Sequence, residues 1–378
     1  MRVAFVGGRG LHSNYGGVEN AIREIASRLA QDTDVGIEVD VYGQGQQSWF
    51  SVKEANAGLN SISAPGFMSR FKGNAVLAFV NCLYALLVRR PQVLLLFASG
   101  PCLLSTLARV FRVPVIGALR SIDSQREWSL VSKTVLRLGE FSAWKIADQC
   151  TVNSLDMYRH FKGSARGLIY IPNGASDSIA GKDDVLESFG LEREGYILFA
   201  ARLDPTKRLH VLLQAYQQVP KEHRLPLIVA GGQCRTDDYK KQLEALACEG
   251  VTFIGHAEKE VLDPLMRNCA MFVLPSSKEG MSNSLLAAMN RARCVVCSDI
   301  EANADVVQHD PAALFELDNV DALAARLTEY SRDPARRSAC GQAMRQIVKR
   351  QFSWEATTES YRGLILHVAN QTETVTNI

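Results

Sequence analysis

The chain lacks a disulfide framework, a long apolar run and any strong charge imbalance. Its nine cysteines among 378 residues are odd in number and irregularly spaced, which excludes a cross-linked secreted scaffold. The one Cys-x-x-Cys, Cys294 to Cys297, lies in a strand-like run, where residues three apart point to opposite faces. With no second pair, a metal site is not expected there. The most apolar stretch, Ala75 to Val88, falls short of the roughly 20 residues that span a bilayer. The opening Met1 to Gly8 has neither the apolar core nor the cleavage site of a signal peptide. With so many unframed thiols, the expected compartment is the cytoplasm, in solution or at the inner face of the cytoplasmic membrane. A net charge of +2 argues against a nucleic-acid partner, and 47% hydrophobic content excludes a disordered chain.

The near-neutral total hides a division. Residues 1–175 hold 19 Lys/Arg against 12 Asp/Glu, whereas residues 176–378 hold 23 against 28. A basic half fits a polyanionic or membrane-surface partner for that half alone. Ala75 to Val88 is flanked by Arg70, Lys72, Arg89 and Arg90. It reads as a buried core helix or as a helix lying on an anionic membrane.

Short apolar runs alternate with longer amphipathic segments. Strands are expected at Val3–Val6, Glu38–Tyr42, Val93–Phe97, Val115–Leu119, Gln149–Val152 and Leu168–Ile171, and helices between them include Val18–Ala30, Pro101–Phe111 and Ser129–Ala147. A Pro-, Gly- and Asp-rich stretch from Pro172 to Asp184 marks a boundary, after which the rhythm restarts at Tyr196–Ala200. The expected fold is α/β: two tandem Rossmann-like, doubly wound domains, residues 1–175 and 176–352, with ligands at the carboxyl ends of the strands and an inter-domain cleft.

Three loops carry the candidate chemistry. The first, Gly7 to Asn20, joins a strand to a helix, and Gly16 and Gly17 let backbone approach a ligand where helix N–H groups face an anion. It is longer than a dinucleotide fingerprint, and only Asp40 offers an acid near strand 2. His12 lies in the same loop. The second loop, Ala201 to Arg208, places Arg202 and Lys207 at a strand end, a guanidinium fork and an ammonium suited to one diphosphate. The third, Leu274 to Leu285, offers Glu279 as an acceptor for sugar hydroxyls. Gly280, Met281, Ser282, Asn283 and Ser284 form the following helix start.

At these loops the chain resembles the family 4 glycosyltransferases of the two-domain B-type (GT-B) fold, of the kind that build bacterial surface polysaccharides. The resemblance runs through Tyr15-Gly-Gly-Val-Glu19, Ile122 to Trp128 with Arg126, Ile171-Pro-Asn-Gly174, the pair Arg202 and Lys207, and Leu274 to Met289. It implies a nucleotide-diphosphate sugar bound by the second domain, with Arg202, Lys207 and Glu279 as catalytic residues. Gly280 to Ser284 and the loop of His256 would bind the donor. The first domain would hold a glycan or polyprenyl-diphosphate-linked acceptor near His12, Gly16, Gly17, Glu19, Arg120 and Arg126. It further implies retention of anomeric configuration, no cofactor or metal, and a last helix, about 353–378, that crosses back to the first domain.

Three departures stand out. The family's second glutamate, which holds the ribose, is Ala287 here; a histidine typical of many relatives is Arg120; and the small-Gly-Pro turn reads Asn290-Arg-Ala-Arg-Cys294. These keep open a non-catalytic, nucleotide-sugar-binding relative in a polysaccharide assembly complex. A sugar-nucleotide epimerase on the same fold is a further alternative.

Overall fold

The computed structural model describes residues 1–13, 16–32, 36–44, 50–65, 74–125, 129–163, 167–176, 184–232, 234 and 236–376. The chain forms two compact units, Met1–Asn173 with Trp354–Ile378, and Gly174–Ser353.

The first unit runs β1 (Arg2–Val6), α1 (Gly17–Gln31), β2 (Glu38–Gln44), β3 (Ser51–Asn56), β4 (Leu59–Ala64), α2 (Asn74–Tyr84), β5 (Val93–Phe97), α3 (Ser99–Cys102), α4 (Ser105–Val110), β6 (Val115–Leu119), α5 (Leu130–Lys145), β7 (Gln149–Val152), α6 (Leu155–Phe161) and β8 (Leu168–Tyr170). The sheet order is β3-β4-β2-β1-β5-β6-β7-β8, and every pairing but β3–β4 is parallel. In β5 and β6 every residue is buried, because helices cover both faces of the sheet.

The second unit runs α7 (Asp184–Ser188), β9 (Ile197–Ala200), α8 (Leu209–Gln218), β10 (Leu227–Ala230), α9 (Asp237–Leu246), β11 (Val251–Gly255), α10 (Lys259–Asn268), β12 (Met271–Leu274), α11 (Asn283–Asn290), β13 (Cys294–Ser298), α12 (Glu301–Val306), β14 (Leu314–Phe315), α13 (Val320–Arg332) and α14 (Pro334–Gln351). Its sheet is wholly parallel, in the order β11-β10-β9-β12-β13-β14.

The last helix, α15 (Trp354–Thr376), belongs to the first unit. Arg28 pairs with Glu355 at 3.1 Å and Arg362 with Asp32 at 2.6 Å, while Tyr361 and Thr151 share a buried hydrogen bond of 3.0 Å. Trp354, Tyr361, Ile365 and Val368 are buried beside α1 residues in one core. Burying side chains of this size contributes about 1.5–3 kcal/mol each.

Three local features depart from the sequence reading. The helix expected over Pro101–Phe111 is broken into α3 and α4. The β3–β4 hairpin is unexpected, because β3, Ser-Val-Lys-Glu-Ala-Asn, is an exposed edge strand without an apolar face. Ala75 to Val88 splits into α2 and a single π-helical turn, Ala85–Arg89. One side, with Leu77, Ala78, Cys82, Ala85 and Leu86, is buried, and the other is exposed.

Candidate functional site

In the second sheet, β9 to β11 step one way from β9, and β12 to β14 continue on its other side. The gap between β9 and β12 is therefore a topological switch point, where two loops diverge and leave a crevice. The loops leaving these two strands hold the second and third sequence clusters.

After β9, Asp204 is buried and caps a single 3-10 turn, Pro205–Lys207, accepting from the Thr206 N–H at 2.9 Å and the Thr206 hydroxyl at 2.7 Å. Proline at the first helical position fits this cap. The Thr206 carbonyl then accepts from the Ser277 N–H at 2.8 Å, tying the first loop to the loop after β12. Above that tie, Lys207 Nζ lies 2.5 Å from Glu279 Oε1, with the two side chains 15% and 8% exposed. The sequence reading leaves Glu279 as an acid open to a polyol; in the structure its carboxylate already carries a lysine. Arg202 differs from Lys207. It is exposed and has no side-chain partner among the described residues. Arg208 turns away to Asp318 at 3.0 Å.

The loop after β12 is fixed from below. Ser298 Oγ donates to the Ser276 carbonyl at 2.5 Å, and Asn303 donates to the Ser298 carbonyl at 3.1 Å. Gly280, Met281 and Ser282 are buried, and Asn283 and Ser284 are half-buried. Ser282 caps α11 by accepting from the Leu285 N–H at 3.3 Å. Ala287 follows one turn beyond Asn283 on the same helix face, half-buried and without a carboxylate. His256 follows β11, exposed beside Gly232 and 3.4 Å from Glu258. The atypical Asn290 to Cys294 turn has its own supports: Ala292 takes a left-handed φ of 54°, Arg291 pairs with buried Asp263, and Arg293 pairs with Glu194 at 2.9 Å. Cys294 and Cys297 are both buried in β13.

The first sheet has its switch point between β1 and β5. Gly7, at φ 125°, follows β1, and a Cβ there would lie 2.2 Å from the Phe97 carbonyl oxygen. Gly16 and Gly17 at the start of α1 are exposed, as is His12, whereas Glu19 is buried in the first helical turn. A carboxylate there is stabilised by the helix dipole. After β5, Ala98 holds a φ of 72°, a strained value for a residue with a Cβ. It presents Ser99, whose Oγ is 3.1 Å from Asp123 and 3.4 Å from buried Glu140. Glu140 also accepts from the Ser124 N–H at 3.0 Å and the Ser124 hydroxyl at 2.7 Å. The sequence reading misses this network; its one signal is Gly139, whose missing side chain lets α5 meet the Ser99 carbonyl.

Arg120 follows β6 and is 8% exposed. It donates to Asn173 Oδ1 at 2.8 Å and stacks over Phe97 at 5.4 Å, while Nε and Nη2 are buried without a hydrogen-bond partner among the described residues. Arg126 lies outside the described residues. Asp40, the acid nearest a dinucleotide site, is fully buried and clamped by Arg89 through two 2.9 Å hydrogen bonds. That removes it from ligand binding.

Comparison with known proteins adds to this geometry. Residues 182–347 match the family model of glycosyl transferases group 1. The chain is 34% identical over 194 residues to the O-antigen chain mannosyltransferase B of Escherichia coli, covering 50% of this chain and 49% of that protein. It is 26% identical over 214 residues to a Campylobacter jejuni N-acetylgalactosamine-N,N'-diacetylbacillosaminyl-diphospho-undecaprenol 4-alpha-N-acetylgalactosaminyltransferase, covering 56% and 57%. The chain thus spans about half the length of these curated relatives. Sucrose-phosphate synthase from Thermosynechococcus elongatus superposes with a TM-score of 0.81 at 20% identity, covering 97% of this chain and 98% of that one. Anabaena HepE in complex with UDP and glucose gives 0.75 at 17%, covering 97% and 100%. These likenesses show the fold, two Rossmann-like α/β domains of the GT-B type.

Proposed function

We propose that the chain is a glycosyltransferase that moves a sugar from a nucleotide-diphosphate sugar to a glycan or polyprenyl-diphosphate-linked acceptor in cell-surface polysaccharide synthesis. The Lys207–Glu279 pair carries this reading. It spans a switch point inside the segment that matches glycosyl transferases group 1.

In this reading Arg202 and Lys207 take up the negative charge that develops on the leaving diphosphate, so transfer needs no divalent cation or cofactor. Glu279, oriented by Lys207, accepts hydrogen bonds from donor-sugar hydroxyls. The start of α11, from Gly280 to Ser284, directs its positive dipole end at the donor. The loop of His256 passes the base. Ala287 leaves the ribose without a carboxylate, and losing one charge-assisted hydrogen bond costs about 1.5–3 kcal/mol. The acceptor lies on the first unit, near His12, Gly16, Gly17, Glu19, Arg120 and Arg126. Transfer retains anomeric configuration, at the inner face of the cytoplasmic membrane. The Escherichia coli and Campylobacter jejuni relatives support a surface-glycan acceptor by name.

Ala287 and Arg120 favour a second reading, a non-catalytic nucleotide-sugar-binding subunit. One experiment separates the possibilities. Purified protein is incubated with UDP-, GDP-, ADP- and TDP-linked sugars, with and without a polyprenyl-diphosphate glycan, and both free nucleoside diphosphate and the identity of the remaining nucleotide sugar are followed. Acceptor-dependent release that survives EDTA supports the transferase. Donor conversion without acceptor points to an epimerase, and no turnover to the binding subunit.

A further inference from the structure

The helices of the first unit fall into two layers. Residues of α2, α4, α5 and α6 share one core on one side of the sheet, whereas α1 and α15 pack into the other. The first of these layers has an unusual outer surface. On α5, Leu130 is 84% exposed, Val131 75%, Leu138 53% and Phe141 46%. Val131, Val135 and Leu138 recur at four and three residues, the spacing of one helix face, which is exposed over the first turns and runs into buried Gly139 and Ser142 at its C-terminal end. In the same layer Val76 and Phe79 on α2, Leu87 and Val88 just after it, and Val110 at the end of α4 are exposed. Among the described residues, the whole second unit exposes only Phe189 and Phe253 as large hydrophobics. Large apolar side chains exposed in this number on one layer point to a further partner.

Charge on this layer selects that partner. Arg90, Arg112, Lys133, Arg137 and Lys145 stand among the exposed apolar groups with no carboxylate partner among the described residues. The three described carboxylates between 74 and 148 are all engaged: Asp123 and Glu140 by serines, Asp148 by the Val115 N–H at 2.8 Å and by Arg109 at 3.7 Å. Phe141 meets Trp144 edge-on at 5.1 Å, and Lys145 lies 5.1 Å from the Trp144 ring. Apolar side chains, an amphipathic indole and unpaired cations on one layer match the interface of an anionic bilayer. Among the described residues no helix is long and apolar enough to cross a membrane.

We infer that the outer face of α2, α4 and α5 is a docking surface for an anionic lipid bilayer. The helices lie on the bilayer, with Leu130, Val131, Leu138 and Phe141 inserted among the headgroups and the arginines and lysines on lipid phosphates. This inference rests on the membrane-borne acceptor proposed above, but its test involves no sugar transfer.

The test is co-sedimentation of the full chain with vesicles of phosphatidylcholine alone or with about 30% phosphatidylglycerol. Binding to the anionic vesicles is expected to be at least about tenfold tighter, and to be lost in about 0.5 M salt. Two double variants, Val131→Glu with Leu138→Glu and Arg137→Glu with Lys145→Glu, are each expected to lose about tenfold in partitioning. Val52→Glu, at an exposed site on edge strand β3, should bind like the parent. All five positions are at the surface, so melting temperatures should not move. Failure to bind anionic vesicles, or parental binding by both double variants, overturns the inference. A dimer in solution that Val131→Glu with Leu138→Glu dissociates, in a protein that ignores vesicles, gives the face to a second copy instead. Lost vesicle binding with intact transfer removes the docking surface alone; vesicle binding without transfer removes the enzyme reading alone.

Discussion

The carboxyl edges of the two sheets follow the same strand logic and carry different chemistry. At the second edge, the loops after β9 and β12 are tied by the Ser277 to Thr206 hydrogen bond and by the Lys207–Glu279 pair. At the first, the charges are either absorbed by serines, as in Ser99–Asp123–Glu140–Ser124, or left incompletely satisfied, as in Arg120. A loop pair locked by its own ion pair is preorganised for one class of ligand. A buried guanidinium with two unpartnered nitrogens contributes little to stability and is costly to keep dry. In the proposed function the diphosphate and its sugar belong to the second edge. The acceptor, in the same proposal, belongs to the first.

The largest expected effect falls on the locked edge. Lys207→Met should lower kcat/KM about 10²–10³-fold, as loss of a preorganised charge stabiliser does. It also strands the Glu279 carboxylate, so the unfolding free energy should fall by about 3 kcal/mol in chemical denaturation. Adding Glu279→Gln should restore most of that stability and none of the activity. Recovery of both would erase the distinction between the edges. Next, Arg202→Ala should weaken nucleoside-diphosphate affinity more than tenfold in calorimetry, about 1.5–3 kcal/mol, without lowering the melting temperature, because Arg202 is exposed. On the other edge, Arg120→Met should raise the acceptor KM about tenfold and leave donor affinity unchanged. Its stability should hold or rise, since a buried charge is replaced by an apolar chain of similar length.

The smallest effect is a pH dependence in the second unit. Burial, reinforced by the positive charge of Arg208 and opposed by Asp318, holds the His210 ring below its ordinary range. Its neutral form bonds the Tyr239 hydroxyl at 3.1 Å. The folded state therefore resists protonation more than the unfolded chain. The contribution is fully present above the unfolded value of about 6.5 and is lost as pH falls through the lower folded value. His210→Gln should flatten the fall in melting temperature below about pH 6.5 relative to the parent.

Much of the fold is legible in the sequence because buried parallel strands are short unbroken apolar runs, such as Val93–Phe97 and Met271–Leu274. The exposed strand β3 lacks that signal, and so the hairpin is invisible until it pairs. Strand-end charges are legible too, since Arg202, Lys207 and Glu279 follow apolar runs directly. Their pairing is not: Lys207 and Glu279 are 72 residues apart, and Ser99 and Glu140 are 41 apart. Asp40 teaches the same lesson in reverse. A position that suits a ribose is occupied by an ion pair with Arg89, 49 residues away.

The second edge is proposed to bind a nucleoside diphosphate through Arg202 and Lys207. Calorimetric titration of UDP, GDP, ADP and TDP into the parent, Arg202→Ala and Lys207→Met chains tests it most directly. One of the four should bind selectively, and both variants should lose more than tenfold in its affinity. Binding by none of the four, or equal binding by parent and variants, would contradict it.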